Sequence, residues 1–465
     1  MSHHAYQHRQ IIPAVFRAYD IRGIIGDQLD DDAFYTIGQA ISCRLKALGR
    51  GNILLARDGR LTSDNLACAL MQGLLDSGIH VVNLGAVATP VMYYATHVYG
   101  IDSGLMVTGS HNPAEYNGIK MVLAGKTLVE ADIQLLRQLV IQGESMKGSG
   151  TLTEFDIMPD YIQRIVGDIA LNRPLKVVVD CGNGIAGPIV PKVIRDLGCE
   201  VIELYCDVDG RFPNHHPDPT VEANLIDLKA AVALHQADIG LAFDGDADRL
   251  GIITNQGELI WPDRLMMLYA QDVLARNPGA TIVYDVKCSS HLADVITKAG
   301  GIARMCPTGH SIVKGVMKEE DAALAGEMSG HLFFKDRWYG FDDALYSACR
   351  LLEIVSHHAD TVSQQFLAIP NSINTPEIKI LIADDKKFSF MQRFSQEALF
   401  PGAELITIDG LRVEFPDGWG LVRSSNTTPC LVARFEAEDH VSLDRIQALF
   451  KTQLHKVDES LTIPF

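Results

Sequence analysis

No stretch of this chain approaches the ~20 consecutive apolar residues that a bilayer crossing needs. The opening residues, MSHHAYQHRQ, hold no apolar core of a secretory leader. A membrane span and a signal peptide are therefore not expected, and His3, His4 and His8 read as a flexible tail. Paired cysteines are also missing. The nine cysteines (43, 68, 181, 199, 206, 288, 306, 349 and 430) form no C-x-x-C pair, their count is odd, and most sit in apolar segments. Free thiols in a reducing cytoplasm are expected. Positive charge is scarce: 40 Lys and Arg face 58 Asp and Glu, a net charge of −18. That argues against nucleic acid or an anionic membrane as the main partner. An anionic small molecule would need a local cluster of Arg and Lys to overcome the overall field.

What is present is ordinary globular material, 47% hydrophobic and 21% charged. At 465 residues it exceeds one compact core, so about three or more domains are expected. A weak internal repeat organises them. NILLARDGR (52–60), KVVVDCGNG (176–184) and TIVYDVKCSS (281–290) are short apolar strands running into polar turns. Each unit later presents a second strand entering a polar loop: GLMVTGSHNP (104–113), DIGLAFDGDADR (238–249) and AALAGEMSGH (322–331). Apolar strands alternating with amphipathic helices predict three similar mixed α/β domains with largely parallel sheets. Ligands bind beyond the carboxyl ends of such strands, so three loops are aimed at one shared cleft. The last hundred residues predict an α+β domain with an antiparallel sheet. Its strands are expected at 375–384, 405–415 and 428–438, and its helices at 385–400 and 442–457. Asp409-Gly410 signals a two-residue hairpin, and Ser442 is the expected cap of the last helix. The domains are placed at 1–152, 153–256, 257–369 and 370–465.

The chemistry concentrates in a few motifs. In DGDADR, alternate residues of an extended segment share a face, so Asp244, Asp246 and Asp248 can converge on a hard cation. An EF-hand needs Gly at loop position 6 and Glu at 12; Arg249 and Asn255 stand there and exclude it. Mg2+ keeps positions open for phosphate oxygens, which suits a substrate-assisted site. Ser110 in TGSHNP reads either as part of a plain turn or as a carrier of a covalent group, with His111 beside it and Lys120 ten residues on. RSSNTTP (423–429) surrounds Arg423 with Ser425, Asn426 and Thr427, a set suited to a phosphate dianion. GEMSGH (326–331) offers Glu327, Ser329 and His331, and PTGH (307–310) offers His310, each histidine being either structural or functional. YDIRG (19–23) supplies Tyr19 and Arg22. With Arg249 and Lys287, Arg22 would restore local positive charge. Serine, metal loop and phosphate loop together point to phosphoryl chemistry through a phosphoserine.

These motifs, with RDGR (57–60), NHHPDP (214–219) and RWYGFDD (337–343), run in matching order along nearly the whole chain. The chain resembles the α-D-phosphohexomutase superfamily, and within it the bacterial phosphomannomutase/phosphoglucomutase enzymes. The resemblance implies four domains around a central cleft. It implies that Ser110 carries the phosphoryl group and that Asp244, Asp246 and Asp248 hold Mg2+ together with the Ser110 phosphate. Arg22, Lys120 and His331 would serve as acid and base, with Arg249 and His111 beside the metal and serine loops. Glu327 and Ser329 would hold sugar hydroxyls. Arg423, Ser425, Asn426 and Thr427 would hold the distal phosphate, with Tyr19, Lys287 and His310 lining the cleft. Many relatives have DGDGDR where this chain has Ala247, and alanine leaves the three carboxylates in place.

The implied reaction moves a phosphoryl group between the 1 and 6 positions of mannose and glucose phosphates through a hexose 1,6-bisphosphate, with glucose 1,6-bisphosphate as activator. A monomer without nucleic-acid or membrane partners is expected. A phosphoglucosamine mutase would share the serine and metal loops, although the Glu-Met-Ser form of the sugar loop leans to mannose and glucose phosphates. A Mg2+-dependent sugar phosphatase or a non-catalytic sugar-phosphate sensor are the readings outside the mutases.

Overall fold

The computed structural model describes residues 6–426 and 428–465; His3, His4 and Thr427 lie outside the described residues. Four sheets organise the chain. In the first, Asn52–Arg57 lies between His80–Ala86 and Gly104–Val107 with all three parallel. Leu152–Glu154 joins in parallel at one edge, and Tyr116–Leu123 and Ile21–Ile24 follow antiparallel at the other. The second sheet sets Glu200–Leu204, Lys176–Asp180 and Ile239–Phe243 in parallel, then turns antiparallel through Leu250–Thr254 and Leu259–Ile260. In the third, Ile302–Cys306, Thr281–Asp285 and Leu324–Gly326 are parallel and Leu332–Phe334 is antiparallel.

The repeat is thus more specific than largely parallel sheets. In each unit the last parallel strand runs into its loop and returns as an antiparallel strand. The three loops are therefore hairpin connections at the carboxyl ends of interior strands. Those strands (GLMV, IGLAF and LAG) hold no polar side chain because both of their faces are covered; Ile239–Phe243 and Leu250–Thr254 are buried throughout.

The apolar interior does not stop at the sheet boundaries. One core joins Leu54, Met92 and Tyr94 of the first unit to Val177, Val179 and Leu241 of the second and Leu324, Leu332 and Trp338 of the third. At the junction Trp338 stacks on Tyr346 at 4.1 Å and on Tyr94 at 5.8 Å. Tyr161 donates to Asp343, which also caps helix Ala344–Ser356 through Tyr346 N. Each such aromatic contributes about 1.5–3 kcal/mol on burial, so this junction holds three units as one frame.

The fourth sheet is antiparallel, with Cys430–Ala437, Gly418–Ser424, Leu411–Phe415 and Glu404–Ile406 in series and a core of its own. Three expectations change here. The glycine-rich Gly418–Ser424 is a strand that the sequence reading passed over. The hairpin at Asp409-Gly410 is wider than two residues, since Ile406 pairs with Arg412. Gly410 is spent instead on a close approach: its φ is +77°, and a Cβ there would lie 2.3 Å from the Val422 carbonyl oxygen. Finally, Asp439 caps helix His440–Val457 by accepting from Ser442 N at 2.7 Å, which places Ser442 inside the first turn. Asp439 has the extended backbone and the carboxylate that a cap requires.

Two buried arginines fasten this unit to the third. Arg412 donates to the carbonyls of Val286 and Cys288 at 2.6 and 2.7 Å. Arg434 pairs with Asp263 at 3.0 Å. No helix among the described residues is long and apolar enough to cross a membrane. All nine cysteines are free.

Candidate active site

The serine loop is built first. Ser110 follows strand Gly104–Val107, is 2% exposed and holds a left-handed φ of +51°, a conformation that costs a non-glycine residue energy and collects at functional sites. The surrounding RDGR segment over-determines it. The Arg60 guanidinium donates to four carbonyls of the loop: Ser110 at 2.7 Å, Asn112 at 2.6 Å, Pro113 at 2.7 Å and Tyr116 at 3.1 Å. Asp58 accepts from Thr108 Oγ1 at 2.8 Å and Gly109 N at 3.3 Å. Neither residue carried a role in the sequence reading. Their motif was visible, but its grip on a loop fifty residues away is a tertiary fact. Ser110 Oγ lies 3.1 Å from His111 Nδ1 and 3.4 Å from Asp244 Oδ2.

That last distance brings the second unit to the first. Asp244, Asp246 and Asp248 are fully buried, with an oxygen from each within 4.8 Å of the others. They converge by a route the sequence reading did not give. The loop is a turn rather than an extended segment, reversed at Ala247 with φ +64°. Asp248 N and Arg249 N both donate to Asp244 Oδ1 at 3.0 and 3.1 Å. Gly245 has no room for a side chain, since a Cβ would lie 2.4 Å from the Ser110 carbonyl oxygen. Burial and its two neighbours push the Asp244 carboxyl well above the usual range. Against the same burial, Lys120 and His331 hold Asp248 well below it.

Oδ1 of Asp246 is buried without a hydrogen-bond partner, and Oδ1 of Asp248 has only the His331 Nε2 ion pair at 3.3 Å. Uncompensated buried carboxylate oxygens are costly, and a hard divalent cation with oxygen preference fits this donor set. Lys120 Nζ ion-pairs with both Asp246, at 2.6 Å, and Asp248. Thr89 Oγ1 donates to Asp246 at 2.6 Å.

The third unit closes over the same aspartates. His331 Nε2 is 3.3 Å from Asp248, and its Nδ1 is 3.1 Å from Glu327 and 3.0 Å from Ser329 Oγ. Burial disfavours the imidazolium, but Asp248 and Glu327 outweigh it and carry His331 up to about 9. Glu327 also accepts from Gly309 N at 2.6 Å. The His310 ring stacks on His331 at 5.5 Å. Arg249 and His331 form an antiparallel bridge, so the metal and sugar loops share backbone contacts. Burial and the nearby Arg249 and Arg22 hold His111 neutral. Arg22 donates to Asn112 Oδ1 at 2.6 Å and pairs with Asp20.

The fourth unit brings Arg423, which is 5% exposed. Its Nε donates to Asp409 at 2.8 Å, while Nη2 is buried with no partner, the state expected of a guanidinium awaiting an anion. Ser425 Oγ meets Thr428 Oγ1 at 2.8 Å. The Tyr19 hydroxyl donates to Thr308 O at 2.8 Å and accepts from Asn426, joining three units. Lys287 is paired with Glu377 at 2.6 Å, a partner the sequence reading missed. The expected site residues within the described chain therefore fall into one connected set. Its two poles are the Ser110–aspartate centre and the Arg423 loop.

With this geometry in view, the family comparisons are decisive. Models of phosphoglucomutase/phosphomannomutase domains I, II and III match residues 13–146, 159–257 and 261–372, and the C-terminal domain model matches 377–453. The chain belongs to the phosphoglucomutase/phosphomannomutase family. This mutase is 52% identical over 455 residues, 98% of each chain, to a phosphomannomutase/phosphoglucomutase of Pseudomonas aeruginosa. It is also 52% identical to a phosphoglucomutase of Neisseria meningitidis serogroup A, covering 94% of this chain and 96% of that one. A crystal structure of a family protein from Burkholderia thailandensis superposes with TM-score 0.93 at 48% identity, over 98% of this chain and all of the other. The mutase is an isomerase that interconverts hexose phosphates.

Proposed function

We propose that the mutase moves a phosphoryl group between the 1 and 6 positions of mannose and glucose phosphates, with Ser110 as the carrier. The observation that supports this most is the seat of Ser110: a strained, clamped serine 3.4 Å from a buried three-aspartate turn. Phosphorylated Ser110 gives its group to the free hydroxyl of the bound sugar phosphate, forming a hexose 1,6-bisphosphate. The intermediate turns end for end, and its other phosphoryl group passes back to Ser110. Glucose 1,6-bisphosphate is the activator that primes an unphosphorylated chain.

Asp244, Asp246 and Asp248 would hold Mg2+ with a phosphate oxygen of Ser110, and the ion would offset charge on the transferring group. Arg22, Lys120 and His331 surround the reacting hydroxyl as acid and base, with Arg249 and His111 at the rim of the centre. Glu327 and Ser329 take the sugar hydroxyls, and Tyr19, Lys287 and His310 line the path. Arg423, Ser425, Asn426 and Thr427 hold whichever phosphate is not reacting. That loop must accept both ends of the intermediate, so its contacts are to phosphate and indifferent to the sugar. The units meet near 152, 256 and 369, and the protein works as a cytoplasmic monomer.

The test is a coupled assay on mannose 1-phosphate and glucose 1-phosphate with Mg2+ and trace glucose 1,6-bisphosphate. Both should yield 6-phosphates, and Ser110→Ala should fold normally and lose turnover by about three orders of magnitude or more. Near-normal turnover in the variant would remove Ser110 from the reaction. Steady release of inorganic phosphate with no 6-phosphate would identify a phosphatase instead.

A further inference from the structure

The RWYGFDD segment carries two adjacent aspartates with different duties. Asp343 is consumed by the frame, through Tyr161, Trp338 and the helix cap. Asp342 is fully buried, with a carboxylate oxygen within 4.8 Å of Asp248 and His331 of the active site. Its Oδ1 accepts from Lys314 Nζ at 2.8 Å. Its Oδ2 has no hydrogen-bond partner, and 3.5 Å away stands His310 Nδ1, also buried and unpartnered.

Two orphaned polar atoms face to face are each costly alone and complementary together. A shift of a few tenths of an ångström makes them a hydrogen bond. Lys314 fixes the carboxylate from the other side, with its ammonium 4.0 Å from the centre of the Tyr93 ring. The His310 ring is fixed as well, stacked on His331 and edged by Tyr19 at 5.9 Å.

We infer that Asp342, anchored by Lys314, is a positioning residue that holds His310 as the tautomer protonated on Nδ1. His310 Nε2 is then a bare acceptor for a hydroxyl of the bound hexose phosphate. The inference rests on the mutase reading above. The logic is that of a carboxylate orienting an imidazole from behind. Burial and the nearby Lys314 hold His310 neutral, which is the state in which a tautomer has meaning.

The assignment differs from a structural role in one prediction. In Asp342→Asn, Lys314 still requires an oxygen acceptor, so the amide oxygen stays with Lys314. The amide nitrogen then faces His310 Nδ1. His310 should flip to the Nε2–H tautomer and present a donor where the sugar hydroxyl needs an acceptor.

The experiment is long-range 15N–1H NMR on full-length protein labelled in histidine, with His310→Gln to assign the ring. The wild type should show a pyrrole-type Nδ1 and a bare Nε2, and Asp342→Asn should show the reverse. Steady-state kinetics should find kcat in Asp342→Asn reduced roughly tenfold to a hundredfold. In the His310→Gln background the same substitution should cost less than about threefold, because residues acting through one another are non-additive. A bare Nδ1 in the wild type overturns the inference, as does an equal loss in both backgrounds. The tautomer is read without substrate. Absence of mutase turnover in the wild type would therefore defeat the functional reading while leaving the Asp342–His310 pairing separately decided.

Discussion

His331 shows how much of this site is set by charge placed around a single ring. It lies between Asp248 and Glu327 and is stacked on a neutral histidine. Its folded pKa, about 9, stands above the ordinary value near 6.5. The sign follows from linkage. A cationic group with a raised folded pKa contributes stability that is complete below about pH 6.5 and is lost as pH climbs through about 9. In metal-free protein, a histidine-selective NMR titration compared with His331→Gln should find this ring protonated well past neutrality. Saturating Mg2+ should lower its midpoint, because the ion shares the negative charge of Asp248. A midpoint near 6.5 without metal would refute the charge bracket.

Much of this was legible in one dimension. Ser110, the three aspartates, Glu327, His331 and Arg423 sit in contiguous motifs whose residue types narrow their chemistry, with a plain turn at Ser110 and a structural His331 left open by residue type alone. Arg60, Glu377 and Asp342 were not legible as actors. An arginine in RDGR or an aspartate in GFDD has no role until the fold supplies its partner.

At the scale of elements, the recurring device is a parallel strand that ends in a loop and returns antiparallel. Apolar runs in the sequence marked the strand that enters each loop, and the strand that returns from it was not singled out. Nor did they reveal the hairpins, because pairing direction leaves no mark on an apolar run buried on both faces. The glycine-rich Gly418–Ser424 was hidden for another reason. Glycine is a poor strand former by propensity, but Gly420 packs beneath Phe450 and Phe435, with the nearest ring atom only 2.5 Å from where a Cβ would sit.

The serine loop is the element whose stability most directly serves the reaction, and Arg60 is its fastener. Removing the guanidinium strands four carbonyls, three of them within 2.7 Å of it. Charge-assisted bonds of this kind are worth about 1.5–3 kcal/mol each before non-additivity. Arg60→Met should cost about 3 kcal/mol in denaturant unfolding. It should lower kcat by about a hundredfold or more, with a smaller change in KM, since the lost contact orients Ser110 and touches no substrate. Arg60→Lys should recover only part of both. Unaltered kcat in the methionine variant would show that the loop holds its own shape.

For the whole molecule, the arrangement answers the puzzle of an acidic protein with an anionic substrate. The net charge is −18, yet Arg22, Lys120, Arg249, Lys287 and Arg423 are all turned inward and buried or nearly so. The units are fastened unequally. The first three share a continuous core, and the fourth is tied to the third by Arg412 and Arg434. Among the first, third and fourth units lies a cavity of about 670 Å³ lined by Phe16, Tyr19, Gln134, Ile312, Lys387 and Phe388. At its wall the first and fourth units are joined through the Tyr19 hydroxyl, which accepts from Asn426 and also donates to Thr308 O of the third unit.

A unit held strongly on one side and, among the hydrogen bonds of the described residues, by a hydroxyl on the other has the layout of a hinged domain with its hinge on the strong side. Tyr19→Phe keeps the ring against His310 and deletes only the latch. Hydrogen exchange across residues 423–430 should then accelerate about two- to tenfold without substrate, the range expected for about 0.5–1.5 kcal/mol of lost bonding. KM should rise by a similar factor for the 1-phosphate and 6-phosphate alike if, as proposed, the loop serves both ends of the intermediate. If exchange in that segment is unchanged while KM rises, Tyr19 acts on the substrate alone and the fourth unit is held closed by other contacts.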